Sequence, residues 1–416
     1  MPTTFFILAG EASGDLHAAK LMRAISALDP PARFVGMGGR DMAEAGLVVA
    51  KDLEGMQVVG FWEVAKKYGF FKRVFYELLD RVKQERPVAL ICVDYPGFNL
   101  RFAKEVKKLG IPVLYYIVPQ VWAWKPLRAQ KMAAFVDRAF CVFDFEPPFF
   151  EKFGLKTMFV GHPLVDRGMG VSPMSSDCGL KLTPGKQTVA FLPGSRAKEV
   201  AAHWNPMCRG FALARRKMEN LRAILSLQAG TVHLSTQGEI NGTLDASYNE
   251  IVLSEVEFGD GLIPKREILL SPKSDPDIAA LKLANESSES HTSLLTQAAD
   301  FSVVKSGTST LEAGLAGNPM CVVYRGSWAS YTIAHMLVNI PVFSLVNIVL
   351  GRYVVPELLQ GDVNPQRIAQ EIERGLTDTR YREQQKAALA ELPKKLGGPG
   401  ASQRAAQGIM DFLKGR

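Results

Sequence analysis

The chain has 416 residues, with 49 Lys and Arg against 42 Asp and Glu, a formal charge of +7. Its 47% hydrophobic and 22% charged residues are ordinary globular composition, which excludes a disordered or collagen-like polypeptide. The length suits two or three domains of ~100–200 residues each, and the basic excess admits an anionic small substrate, an anionic membrane surface or nucleic acid without choosing among them.

The first segment, MPTTFFILAGEASGD, has no basic residue ahead of its apolar run, which stops after Ala9 and is too short for a signal peptide. Apolar strands are expected at Phe5–Ala9, Ala89–Val93, Val113–Val118, Ala139–Phe143 and Met158–Val160. They are continuous rather than alternating, as in a sheet covered by helices on both faces. Helical stretches lie between them at Asp15–Leu28, Gly69–Glu85 and Arg101–Leu109, the last followed by Gly110 as a stop signal. Such alternation with short connections implies parallel, right-handed βαβ units.

Around Gly161–Lys186 the pattern gives way to Gly, Pro and Ser and reads as an interdomain linker. A second alternation follows: strand Thr188–Leu192, a helix over about 198–218, strands Ala223–Leu227 and Phe301–Val304, helix Thr308–Leu315 and strand Met320–Tyr324. The expected fold is therefore α/β, with two Rossmann-like domains at 1–165 and 166–364 facing across a cleft, and a helical tail at 365–416. Residues 238–293 are polar and read as an inserted surface excursion. Between Gly326 and Gly351 no residue carries a formal charge, a length sufficient for a membrane span. Pro341 interrupts that stretch and His335, Asn339, Ser344 and Asn347 place polar groups along it, so an amphipathic helix over about 328–338 and a loop are expected instead. The five cysteines are scattered without a C-x-x-C pair, which points to a reducing compartment rather than a disulfide framework.

Ligands of open α/β sheets bind beyond the carboxyl ends of the strands. After the first strand come Gly10, Glu11, Ser13 and Gly14; the glycines admit close backbone approach, and Ser13 or Asp15 can cap the next helix. The pattern is not G-x-G-x-x-G, and no acidic residue closes the following strand, which disfavours a dinucleotide. Asp94, ending the strand VALICV, is placed as a general base or as a turn-forming residue before Pro96. Gln120 and Trp122, in VPQVWAWK, can line a cleft for an acyl or sugar group or pack into the core. In the second half, Gly194 and Arg196 form an anion-accepting turn, and Arg196 near a helix start is disfavoured by the helix dipole unless an anion is bound. Ser306, Gly307 and Thr308 open a second helix start of the same kind, with Glu312 one turn on, suited to a ribose or simply to the dipole. The six histidines form no H-x-x-x-H and no cluster with carboxylates, so no metal site is expected.

Between Met56 and Val82, Phe61, Trp62, Tyr68, Phe70, Phe71, Phe75 and Tyr76 interleave with Lys66, Lys67, Lys72 and Arg73. This is either a surface for anionic lipid or a core-facing stripe backed by a solvated basic face. Nucleic acid has no motif in its favour.

The stretches FILAGEASGDLHAAKLMRAI, ICVDYPGFN, YYIVPQVWAWK, FVGHPLVD, FLPGSRAKEV, KSGTSTLEAGLAGNPMCVVYR and SLVNIVLGRYVVPELLQ closely resemble the lipid-A-disaccharide synthases. These are bacterial glycosyltransferases of the two-Rossmann, GT-B type. The matches keep the family's order over nearly the whole chain except about 230–293. The interval between Ser195 and Ser306 is longer than the family pattern, and Val346 stands where proline is usual.

The resemblance implies transfer from UDP-2,3-diacylglucosamine to 2,3-diacylglucosamine 1-phosphate, with inversion, giving a β(1→6) disaccharide 1-phosphate and UDP. It implies Asp94 as base and Arg196, Ser306, Gly307 and Thr308 at the diphosphate. Glu312 would hold the ribose, Asn347 and Gln360 would complete the donor side, and Glu11, Ser13, Gly14, Gln120 and Trp122 would lie on the acceptor side. Phe61, Trp62, Phe70, Phe71, Lys72 and Arg73 would meet the inner leaflet of a Gram-negative-type bacterium. No cofactor or metal is implied, a homo-oligomer is compatible, and the tail can return to the first domain. The alternatives are a UDP-sugar 2-epimerase or peptidoglycan-type transferase on the same fold, and a non-catalytic nucleotide-sugar binding protein at the membrane surface.

Overall fold

The computed structural model describes residues 3–53, 68–124, 127–167, 187–194, 197–218, 220–226, 250–253, 291–326 and 342–416. The chain forms two compact units, Met1–Asp166 with Leu396–Arg416, and Arg167–Lys395.

The first unit contains strands β1 (Thr4–Ala9), β2 (Arg33–Met37), β3 (Leu47–Lys51), β4 (Ala89–Val93), β5 (Val113–Tyr116), β6 (Arg138–Cys141) and β7 (Thr157–Phe159). They form one sheet in the order β3-β2-β1-β4-β5-β6-β7, with every pair parallel. Every residue of β4 and β5 is buried, which is why those strands read as unbroken apolar runs. Helices α1 (Ala12–Leu28), α2 (Arg40–Glu44), α3 (Tyr68–Glu85), α4 (Pro96–Lys108), α5 (Val121–Trp124), α6 (Leu127–Ala133) and α7 (Glu146–Glu151) connect them. In α3, Val74, Leu78 and Val82 recur every fourth residue and are buried against the sheet, while Lys72, Arg73 and Tyr76 stay exposed.

The second unit contains β8 (Gln187–Leu192), α8 (Ala197–Arg215), β9 (Leu221–Ser226), β10 (Glu250–Leu253), α9 (His291–Ala298), β11 (Phe301–Lys305), α10 (Thr308–Leu315) and β12 (Met320–Tyr324). It continues through α11 (Leu345–Leu350), β13 (Glu357–Leu359), α12 (Pro365–Thr377), α13 (Thr379–Leu389) and α14 (Leu392–Lys395). Its sheet runs β10-β9-β8-β11-β12-β13, parallel except for the antiparallel edge strand β10. Val200, Trp204, Met207 and Phe211 of α8 and Ile368 and Ile372 of α12 share a core with Phe301 and Val303 of β11. Gly210 lets α12 approach: a methyl there would sit 2.7 Å from Ile368. The three-residue β13 and the strand β10 were absent from the sequence expectation.

The expected 365–416 tail is divided between the units. Helices α12 to α14 stay with the second, whereas α15 (Ala401–Lys414) packs in the first, where Ala405, Ala406 and Ile409 join the core with Phe5 and Ile7. Asp166 caps α15 by accepting from the amides of Gly400 (2.6 Å), Ala401 (3.1 Å) and Ser402 (3.2 Å). The Arg404 guanidinium donates to the carbonyls of Val160 (2.8 Å), Gly397 (3.0 Å) and Gly398 (3.1 Å). The first unit is thus completed by the end of the chain, so its boundary at 165 is incomplete without residues 396–416.

Most of the 161–186 linker, nearly all of 238–293 and the helix over about 328–338 lie outside the described residues. Among the described residues no helix is long and apolar enough to cross a membrane. Cys92, Cys141, Cys208 and Cys321 are free thiols.

Candidate active site

Within the first unit, the predicted residues gather at the carboxyl ends of β1, β4 and β5. Ala9 pairs with Val93, so the turns after β1 and β4 begin side by side. The β4 turn is held in an unusual conformation: Asp94 (φ 45°) and Tyr95 (φ 47°) are both left-handed. Each costs on the order of 1–3 kcal/mol unless its surroundings enforce it. Three groups enforce it here. The fully buried Asn99 amide donates to the carbonyls of Asp94 (2.8 Å) and Val93 (3.3 Å), and the Tyr115 hydroxyl donates to the Asp94 carbonyl at 2.7 Å. The Asp94 amide donates to the Tyr116 carbonyl at 3.1 Å.

The Tyr95 ring lies on Gly10, where a methyl would sit 2.1 Å from the ring, so the first glycine of the GEASG turn is required by the second turn. Burial, and then the nearby Glu11 carboxylate, push the Tyr95 hydroxyl up to about 12. Glu11, Tyr95 and Asp94 are therefore brought together. Helix α1 begins earlier than expected, placing Ser13 and Gly14 inside its first turn, Ser13 exposed and Gly14 buried. Neither Ser13 nor Asp15 caps it: Glu11 is the N-cap residue, in an extended conformation. Asp15 instead reaches across to the amides of Gly39 (2.6 Å), Asp41 (3.0 Å) and Met42 (3.3 Å) at the start of α2. That correction follows from the depth of Asp15, which is only 4% exposed and must spend its charge on buried donors.

Beyond β5, Ile117 (φ 59°) is a further left-handed residue, and a β-branched one. It precedes exposed Gln120 and half-buried Trp122. The Trp122 ring meets Phe145 edge-on at 4.9 Å, and its indole N–H donates to Glu146 at 3.1 Å. The Trp122 ring thus packs within the first unit and keeps part of its surface exposed.

In the second unit, Ser306, Gly307 and Thr308 lie at the end of β11 and the start of α10, with Thr308 exposed and Glu312 half-buried one turn on. Arg196 lies outside the described residues. Lys305 stands beside this turn, its ammonium 3.8 Å from where a Gly307 side chain would begin, and pairs with Glu199 at 2.8 Å. His203, buried, spans two elements: Nδ1 bonds the Glu199 carbonyl at 2.6 Å, and Nε2 accepts from the Arg325 amide at 2.8 Å. Burial holds this imidazole below its ordinary value. A concavity of about 800 Å³ opens between α8 and the loops after β12 and β13, lined among others by Lys198, Arg209, Arg325 and Gly361.

Gln360 and Asn347 have different fates. Gln360, left-handed (φ 51°) and 7% exposed, accepts from the Gly326 amide at 3.2 Å, and its Nε2 has no partner among the described residues. Asn347 is fully buried and turned inward. Its oxygen accepts from the amides of Val354 (2.8 Å) and Val355 (3.0 Å), and its nitrogen donates to the Val355 carbonyl (2.9 Å) and Glu357 (2.8 Å). No hydrogen-bonding capacity remains for a donor, so Asn347 shapes the loop rather than touching a ligand.

The membrane stretch is also redistributed. Phe70 and Phe71 are half-buried and pack against the core of the first unit, which corrects their assignment to a lipid surface. Lys72 and Arg73 are exposed, and Phe61 and Trp62 lie outside the described residues. Sequence reasoning missed Asn99, Tyr115, Lys305 and Glu146. Only Lys305, a cation directly before a Gly-rich helix start, carried a local signal.

The lipid-A-disaccharide synthetase family model matches residues 5–247 and 264–408. The chain belongs to the lipid-A-disaccharide synthetase family. A lipid-A-disaccharide synthase of Anaeromyxobacter dehalogenans is 38% identical over 98% of this chain and 97% of its own. The Geobacter sulfurreducens enzyme is 36% identical over 98% and 96%. The chain is accordingly a glycosyltransferase of lipid A disaccharide synthesis. Of the divergent stretch at about 230–293, the family match leaves out only residues 248–263. Among solved structures, a putative UDP-N-acetylglucosamine 2-epimerase from Listeria monocytogenes (TM-score 0.59, 12% identity, 100% of this chain and 98% of that one) shares the fold. So does the calicheamicin glycosyltransferase CalG4 (TM-score 0.55, 14% identity, 99% and 98%). Among the described residues, no group of three His, Cys, Asp or Glu is arranged to hold a metal ion.

Proposed function

We propose that this family member transfers the diacylglucosamine of UDP-2,3-diacylglucosamine to the 6-hydroxyl of 2,3-diacylglucosamine 1-phosphate, with inversion, releasing UDP. Asp94 takes the hydroxyl proton as the new bond forms. The observation that carries this reading is the β4 turn, whose left-handed Asp94 and Tyr95 are held by Asn99 and Tyr115 at a strand's carboxyl end. Strain kept at a strand end marks a functional site more specifically than an aspartate in an ordinary turn.

The donor diphosphate is taken by the second unit. The amides of Gly307 and Thr308 at the start of α10 and the Arg196 side chain meet its charge, and Glu312 accepts the ribose hydroxyls. Gln360 offers to the sugar its Nε2, which has no partner among the described residues. Neutralising the leaving UDP with fixed positive groups supplies what a bound cation supplies in other sites, so the reaction is proposed to proceed without a metal.

The acylated substrates are reached at the anionic inner leaflet through the exposed face of α3, supported by Lys72, Arg73 and the 54% exposed Tyr76. The experiment supplies purified chain with the acylated UDP donor, with and without the acylated acceptor, and follows UDP and disaccharide. UDP release that requires acceptor, with one disaccharide per UDP, is expected. Donor consumption without acceptor would indicate an epimerase or hydrolase instead.

A further inference from the structure

We propose that Glu146 is a positioning residue for the acceptor side of the site, locking the Trp122 indole into an apolar wall that receives an acyl chain. The inference rests on the proposed acceptor reading of the first unit and names the residue on which its wall depends.

Glu146 is fully buried, and of its three hydrogen bonds two satisfy buried backbone amides and the third reaches a side chain on another turn. One oxygen accepts from the amides of Val142 (3.0 Å) and Phe143 (3.1 Å) at the end of β6, and the other from the Trp122 indole N–H at 3.1 Å. The side chain therefore ties the turn after β5 to the turn after β6, at the carboxyl end of the sheet that also carries Asp94. Burying a carboxyl group is costly even with good partners, and the two amides after β6 need only one of its oxygens. What the second oxygen adds beyond pairing those amides is a fixed direction for the indole.

The ring so fixed belongs to an aromatic panel. Phe145 meets Trp122 edge-on at 4.9 Å and stacks on Phe143 at 5.3 Å with an interplanar angle of 5°. Phe143 is buried, while Trp122 and Phe145 keep part of their surface open. An apolar wall at the same carboxyl end of the sheet as the proposed proton acceptor suits a glycolipid, whose reacting hydroxyl and hydrocarbon chain must be held together.

The test uses the full chain carrying Glu146→Gln, Trp122→Phe or both. It reads kcat and KM for acceptor and donor, and the indole N–H resonance of Trp122, assigned as the cross-peak lost in Trp122→Phe. Each single variant is expected to raise acceptor KM about tenfold, the double variant no further, with donor KM unchanged. The Trp122 resonance moves in Glu146→Gln. Trp122→Phe keeps a ring but removes the bonded N–H, so it tests the link even where Glu146→Gln does not fold. Unchanged acceptor KM in Trp122→Phe, additive effects in the double variant, or an unmoved resonance would overturn the proposal. Failure of the underlying reading looks different, because the unmodified chain would then make no disaccharide.

Discussion

Replacing Asn99 by alanine separates the stability of the first unit from its activity. The substitution removes three hydrogen bonds, to the carbonyls of Asp94 (2.8 Å), Val93 (3.3 Å) and Leu8 (3.5 Å), at about 1 kcal/mol each. It also removes Asn99 Oδ1, which is buried with no partner among the described residues and already costs about 1–3 kcal/mol. The two effects oppose each other, so the net loss of stability is about 0–2 kcal/mol. Activity has no such compensation. Only the Tyr115 hydroxyl is left on the Asp94 carbonyl, and two left-handed residues are free to relax. A shift of about 1 Å in a reacting group is enough for a loss of about 100-fold. Urea denaturation gives the stability, and acceptor-dependent UDP release gives kcat. A variant of near-normal midpoint with kcat within threefold of the unmodified chain would refute the argument that the turn's geometry carries the function.

Four further outcomes follow from the same contacts. Gly10→Ala, whose methyl would sit 2.1 Å from the Tyr95 ring, should displace that turn and lower kcat at least about tenfold, with UDP affinity unchanged. Asn347→Ala should lower stability by about 2–4 kcal/mol in urea, because two buried amides lose their acceptor, while donor KM stays constant; a raised KM with an unchanged midpoint would return Asn347 to the donor site. Burial raises Glu146 to about 8 from 4.5, so the folded chain keeps a proton that the unfolded chain has released. Stability should therefore fall as pH rises between about 4.5 and 8, and Glu146→Gln should flatten that slope in urea midpoints. His203 behaves oppositely: its value is held below 6.5, so its contribution is present above that pH and lost as pH falls below it, and His203→Gln should reduce that acid dependence.

The strands of both units were legible because buried parallel strands are continuous apolar runs; β1 and β4 are nearly their expected spans. The shorter β13 was not, because three residues carry no periodicity and its pairing with β12 is a tertiary choice. The division of the tail was illegible for a similar reason. Ala405, Ala406 and Ile409 announce an apolar helix face without saying which core receives it, and Asp166, which caps that helix, stands more than 200 residues earlier. At the site, the aspartate and the Gly-rich turns were readable as residue types at strand ends. The groups that hold them were not: Tyr115 and Glu146 act on residues 21 and 24 positions away, and Asn99 folds back on the turn just before its own helix, so all three look like ordinary core or surface residues in the sequence. Asn347 and Phe71 show the converse error, in which a polar or aromatic residue of the right type is spent internally.

The account stands most directly on Asp94→Asn, a change that keeps a side chain tolerant of the left-handed backbone and removes only the base. Acceptor-dependent kcat should fall about 10²–10⁴-fold, with the UDP dissociation constant by calorimetry unchanged. A kcat within tenfold of the unmodified chain would contradict the assignment of Asp94 as the proton acceptor.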